Sequence, residues 1–228
     1  MPDQHPESNN DVTAEVEYLG VDDETGADLE RKAELDAIAD SIRQTLKGRR
    51  VLEVACGTGY WTKIAAEVAA HVVALDISPK MLAVAQSRAL PPESVEFCVH
   101  DAYELASVQG SYDAGLAIFW LSHVPRDRVE KFLGGFHNRL GEGSVVFMAD
   151  RLYTPKTGGT LMVKRGSPDT FRLRRMPDGS MGEIIVNYYD DSSLQPLLAL
   201  YAEDLEISAG ESFWWLRYRV KNRVKNIK

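Results

Sequence analysis

Cysteine is scarce in this chain: Cys56 and Cys98 are the only two in 228 residues. Two thiols with no CxxC or Cys/His spacing exclude a disulfide framework and give no zinc pattern, so no metal site is expected. A reducing cytoplasm is the expected compartment. Long apolar runs are also missing. Nothing reaches the roughly 18 residues of a spanning helix, so no membrane insertion is expected. The N-terminal MPDQHPESNNDVTAEVE lacks both the basic and the apolar region of a secretory signal, and residues 1–12 are expected to be disordered. Positive charge is in deficit, with 26 Lys and Arg against 34 Asp and Glu and a formal net charge of −8. Phosphate polymers and anionic bilayers are repelled by such a surface on average, so neither nucleic acid nor membrane is an expected partner. No internal repeat is evident. The length suits one α/β domain over 13–228.

What the chain does contain is alternation. Leu29, Ala33, Leu35, Ile38, Ile42 and Leu46 recur at helical spacing, with Asp28 placed as cap and Gly48 as stop. Apolar runs at 50–54, 72–75, 95–99, 112–118 and 144–149 read as strands. Helical segments at 58–70, 79–89 and 125–140 lie between them, the second capped by Ser78 with Pro79 in its first turn. Strict β-α alternation implies a parallel, doubly wound sheet with helices on both faces. Beyond 150 the pattern changes. Residues 152–168 are rich in Gly, Thr, Ser and Pro and read as a loop. Residues 169–188 read as a β-hairpin turning at Asp178–Gly179. A helix over 192–202 and strands over 205–208 and 213–220, joined through Gly210, close the chain.

The segment VLEVACGTGYWT, residues 51–62, carries the chemistry. It reads as a strand, a glycine turn and a helix start, a device that brings backbone N–H groups close to a ligand. Asp76 follows Gly59 by 17 positions, at the end of the run HVVALD, where an acid can accept both hydroxyls of a ribose. A dinucleotide fingerprint needs GxGxxG, but Thr62 stands where the third glycine belongs. Glu53, in the strand just before the turn, would repel a pyrophosphate; a ligand with a positively charged end tolerates it.

These residues resemble class I S-adenosylmethionine-dependent methyltransferases, whose motif is an acid followed by glycines at alternate positions. Here the motif stands as Glu53-Val54-Ala55-Cys56-Gly57-Thr58-Gly59, with Ala55 in place of the first glycine. The resemblance implies that Glu53 supports the amino-acid end of S-adenosylmethionine and that the turn 55–59, including Cys56 and Thr58, wraps beneath it. It implies that Asp76 takes the ribose and that Ile77 and Met81 flank the adenine. His100-Asp101-Ala102 matches the family's acidic motif, with Asp101 near the adenine amino group. YDAGLAIFWLSHVP places Ile118, Phe119 and Trp120 beside the methionine portion. Tyr18 is a candidate for closing over the cofactor. The resemblance also implies a seven-stranded sheet in which strands 3-2-1-4-5 are extended by the last two, the final one antiparallel, with a β-hairpin cap inserted after strand 5. FWLSHVPRDRVEKFL and the later RRMPDGS are most similar to small-molecule O-methyltransferases of the phosphonate and natural-product type.

The expected reaction is methyl transfer to an oxygen, or with less support a nitrogen, of a small-molecule acceptor, by a monomer or homodimer. His123 is the candidate general base, since imidazole titrates near neutral pH. Methyl transfer does not require one, because positioning supplies much of the acceleration. Arg172 and Arg174 share one face of the hairpin and suit an anion fork. Asn187 and Tyr188 complete the candidate substrate residues, over a cap at about 152–188. Two other readings stay open: a protein that binds S-adenosylmethionine or S-adenosylhomocysteine without transferring a methyl, and an NAD-dependent reductase, which the missing third glycine opposes.

Overall fold

The computed structural model describes residues 26–154, 160–175 and 180–221, without the side chains of 26–28 and 175. The expectations on residues 1–12, Tyr18 and the Asp178–Gly179 turn lie outside the described residues, and the first helix begins at Gly26, so Asp28 lies inside it rather than at its cap. Helix α1 (Gly26–Leu46) buries Leu35, Ile38, Ile42 and Leu46, one face at helical spacing. The chain then alternates: β1 (Arg50–Val54), α2 (Tyr60–Ala66), β2 (His71–Asp76), α3 (Pro79–Ser87), β3 (Val95–Val99), β4 (Ala114–Ile118), α4 (Val129–Leu140) and β5 (Val145–Arg151). After the small strands β6 (Met162–Val163), β7 (Thr170–Arg175) and β8 (Met181–Ile185) come α5 (Asp191–Leu198), β9 (Ala202–Ala209) and β10 (Phe213–Val220).

Seven strands form one sheet in the order β3-β2-β1-β4-β5-β10-β9. The first five are parallel, and β10 runs antiparallel to both β5 and β9. This is the seven-stranded Rossmann-like sheet that the resemblance implied. Because successive strand residues face opposite sides, each strand feeds two cores. Leu52, Val73, Leu75 and Trp214 pack with Phe132 and Phe136 of α4 and Leu194 and Leu198 of α5. Val51, Val72, Ala74 and Phe213 pack with Ile38 and Ile42 of α1 and Trp61 of α2. Adjacent Trp214 and Trp215 therefore serve opposite faces, the first fully buried and the second half-buried. Gly115 lets α4 approach β4: a Cβ there would lie 2.5 Å from Leu140 and 2.6 Å from Phe136. At the far end, Glu34 of α1 accepts hydrogen bonds from Glu211 N (2.8 Å), Ser212 N (3.1 Å) and Phe213 N (3.0 Å), tying the helix to the β9–β10 turn. Among the described residues, no helix is long and apolar enough to cross a membrane.

Several boundaries differ from the sequence reading. Helix α2 begins at Tyr60, not 58, because Gly59 before it is left-handed (φ 76°) and cannot continue a helix; it ends at Ala66 rather than 70. Strand β4 starts at Ala114, and the Tyr112 hydroxyl donates to Gln109 O (2.6 Å) in the loop before it. Residues 126–128 form a 3₁₀ turn ahead of α4 rather than its first turn. Helix α5 stops at Leu198, and its start is fixed by a capping box between Asp190 and Ser193. The cap has three strands rather than two: β6 pairs with β7 inside the segment read as loop, and β7 pairs with β8.

Candidate active site

The C-terminal edge of the parallel strands collects carboxylates. Glu53 lies in β1, Asp76 ends β2 and Asp101 follows β3. Between the first two, the turn 55–59 is held tightly. Cys56 N donates to Leu75 O (2.9 Å), Gly57 N to Asp76 Oδ2 (2.9 Å) and Arg88 Nε to Thr58 O (2.6 Å). Ala55, Gly57 and Gly59 all have positive φ (53°, 57° and 76°). Gly59 is further constrained by α3, since a Cβ there would lie 2.9 Å from the Ala85 methyl. Ala55 adopts the conformation that only glycine adopts freely, at a cost of about 1–2 kcal/mol.

Glu53 is 2% exposed, and its Oε2 has no hydrogen-bond partner among the described residues. Burial pushes its carboxyl up to about 8; the Thr62 hydroxyl pulls it down and Asp76 pushes it further up. Burial likewise pushes the Cys56 thiol up, which makes it a poor nucleophile. Asp76 Oδ1 accepts from Ser78 N (2.8 Å), so each of its oxygens holds one backbone N–H and keeps a second lone pair. Asp101 Oδ1 accepts from Tyr103 N (2.8 Å), and Ala102 is buried beside it. Ile77, Met81 and Val99 are exposed at 68%, 39% and 59%, an apolar surface at the ends of β2 and β3 and the start of α3.

A second region opens across Phe119. Ile118 and Phe119 are buried, Trp120 is half-buried, and Phe119 takes a left-handed φ of 54° while donating its N–H to Ala149 O (2.8 Å). That kink turns the chain off β4, with the Phe119 ring lying 6.0 Å from Trp61 and 5.5 Å from Phe213. On its other side lies a cavity of about 210 Å³ between the sheet edge and the cap. The sheet edge contributes Ser122, His123, Asp150 and Arg151, and the cap contributes Arg172, Arg174 and Tyr188. His123 Nδ1 lies 2.8 Å from Ile185 O. A carbonyl only accepts, so Nδ1 carries the proton, and the lone pair of the neutral ring sits on Nε2. Arg172 donates to the Tyr188 hydroxyl at 3.4 Å, and Tyr153 packs edge-on against Tyr188.

His123, Arg172, Arg174 and Tyr188 thus come together from segments about 50 residues apart. Asn187 does not join them. It is fully buried, its amide donating to Val124 O (3.1 Å) and Asp169 Oδ1 (2.9 Å) while its oxygen accepts from Thr170 N (3.0 Å). Its side chain is spent on holding the cap to the turn below, so the geometry corrects its assignment to substrate. Ser122, Asp150 and Arg151 were missed. The available signal was the one that marks Asp76: an acid closing an apolar strand run, here VVFMAD.

Residues 51–143 match a family described as a methyltransferase domain. A ubiquinone biosynthesis O-methyltransferase of Xanthomonas campestris pv. campestris (strain B100) is 38% identical over 93 residues, 40% of this chain and 38% of that protein. The chain therefore spans well under half the length of the curated relative it matches. Similarity to solved structures runs further. A complex of DhpI with SAH is 27% identical with a TM-score of 0.68, covering 84% of this chain and 86% of that one. A DhpI complex with SAM and HEP has the same TM-score at 24% identity, covering 92% and 98%. These coverages carry the likeness beyond residues 51–143.

Proposed function

We propose that this chain is an S-adenosylmethionine-dependent methyltransferase that methylates an oxygen of a small anionic molecule, as a monomer or homodimer. One observation carries the reading: a carboxylate-lined edge and a cavity holding His123 and three arginines meet at Phe119. S-adenosylmethionine, when bound, supplies an electrophilic methyl group on a positively charged sulfur.

The donor residues fit that molecule. The orphaned Glu53 oxygen suits a cationic amino-acid end, and a cation beside it offsets the cost of ionising a buried carboxyl. The spare lone pairs of Asp76 suit two ribose hydroxyls. The exposed Ile77, Met81 and Val99 suit a flat apolar base, with Asp101 at its polar edge. On the acceptor side, Arg172, Arg174 and Arg151 suit a phosphate, phosphonate or carboxylate, which guanidinium binds as a fork. His123 Nε2 is placed to take the proton of an acceptor hydroxyl.

A thermal-shift comparison tests the donor half. At about 100 times Kd a one-site ligand stabilises by about 2.7 kcal/mol, so S-adenosylhomocysteine should raise Tm by roughly 5–10 °C. Stabilisation by NAD with no response to S-adenosylhomocysteine overturns the reading. Methyl transfer is then assayed on a panel of small hydroxylated phosphonates, phosphates and carboxylates. Robust donor binding with no turnover across the panel leaves a binding protein instead.

A further inference from the structure

We infer that Asp150 is a positioning residue: it pins the turn that carries His123 and supplies the negative charge that the imidazolium meets when His123 takes a proton. The inference rests on the acceptor-cavity reading above and deepens it.

Asp150 sits near the end of β5, 1% exposed, yet in the wall of the cavity. Its two oxygens accept one backbone bond each, from Ser122 N and from Arg151 N, both at 2.8 Å. Ser122 is gripped from the other side as well, because its carbonyl accepts from Asn187 N of the cap at 2.7 Å. The next residue is His123, whose ring is fixed by Ile185 O and whose backbone N–H donates to Trp120 O (2.9 Å). The turn 119–123 is therefore clamped between sheet and cap, and Asp150 is the clamp on the sheet side. A sheet-edge carboxylate fixing a base-bearing turn limits the motion that otherwise misplaces a base.

The charge argument is independent of the clamp. His123 shares its cavity with Arg151 from β5, Arg172 and Arg174 from β7, and Tyr188 after β8; Arg126 follows the turn, and Asp169 precedes β7. Three guanidinium groups oppose a positive imidazole. Among the described residues lining this cavity, Asp150 is the one carboxylate. Its own carboxyl stands above the usual carboxylate range, because burial outweighs the two N–H bonds and the positive charge of His123 that pull it down. Asp150 is therefore the acid on this wall whose charge an imidazolium at His123 would meet.

The test is the His123 titration, followed by NMR of its C2–H and assigned with His123→Gln. In Asp150→Asn, and in Asp150→Ser as a second variant, the midpoint should fall by about 1 pH unit. The thermal shift produced by S-adenosylhomocysteine should stay as in the parent, which shows that the fold and donor edge are intact. An unmoved His123 midpoint in a variant that still responds to S-adenosylhomocysteine overturns the inference. Should neither variant fold, the reciprocal measurement decides it. The interaction is mutual, so His123→Gln must raise the Asp150 carboxyl midpoint, and an unmoved Asp150 carbon resonance overturns the pairing. Titration shifts without turnover of any acceptor fail the proposed function and leave this inference standing. Turnover with no shift does the reverse.

Discussion

Glu53 shows how burial writes pH dependence into one residue. Its carboxyl ionises near 8 in the native state, against 4.5 for an ordinary one. The native chain keeps this proton where the unfolded chain has lost it, so stability falls as pH rises from about 4.5 to about 8 and then levels. Glu53→Gln should remove that component of the slope, read from Tm against pH; parallel slopes in parent and variant would place the carboxyl in contact with water. Donor binding should respond in the opposite sense. A cationic ligand favours the ionised form, so calorimetric affinity should rise between pH 6 and 9 in the parent and stay flat in Glu53→Gln. Ala55 makes a second prediction at this scale. Relief of its left-handed strain, less the extra chain entropy of glycine, leaves a modest gain. Ala55→Gly should raise Tm by roughly 2 °C; a lower Tm would mean that the methyl packs for more than the strain costs. The proposed donor residues were legible in sequence because they are local. Each is an acid or glycine at a strand end, and a strand end is readable from its own neighbours.

At the scale of elements, legibility declines where pairing partners are distant. Helices α1 and α3 carry their own stop and start signals, Gly48 and Ser78-Pro79, and were readable. Strand β6 was not: two residues flanked by Leu161 and Lys164 show no period, and they become a strand only because β7 offers a free edge. The same holds for Asn187. A polar residue in an alternating run reads as pocket-facing, yet the pairing of β7 with β8 brings it over Asp169 and Val124. Asn187→Ala should destabilise by about 1–3 kcal/mol, the cost of leaving buried partners unsatisfied. Hydrogen exchange checks this: amides of β7 and β8 should exchange faster while those of β1 and β2 stay unchanged. Uniform acceleration in both sheets would show that the cap unfolds only with the whole molecule.

At the scale of the whole molecule, two regions meet at Phe119 with separate scaffolds. The proposed donor edge is built by β1, β2 and their turns; the proposed acceptor cavity is built by β5, the 119–123 turn and the cap. Substitutions should therefore separate cleanly. Asp76→Ala should weaken donor binding by about 1–3 kcal/mol through lost bonds to the ribose, with acceptor KM unchanged. Arg172→Ala should raise acceptor KM with donor affinity unchanged. Calorimetry for the donor and steady-state kinetics for the acceptor read the two effects, and a variant that moved both would show that the regions are coupled. By itself the sequence determined the alternating α/β architecture, the glycine turn and the acids within β1, at the end of β2 and after β3, because each rests on spacing within a few residues. Only the tertiary structure decided that Asp150 and Arg151 face the same cavity as His123, that Arg172 and Arg174 close over it, and that Asn187 turns away. Those facts depend on which strands pair across about 50 residues of chain, and hydrophobic periodicity carries no record of the partner.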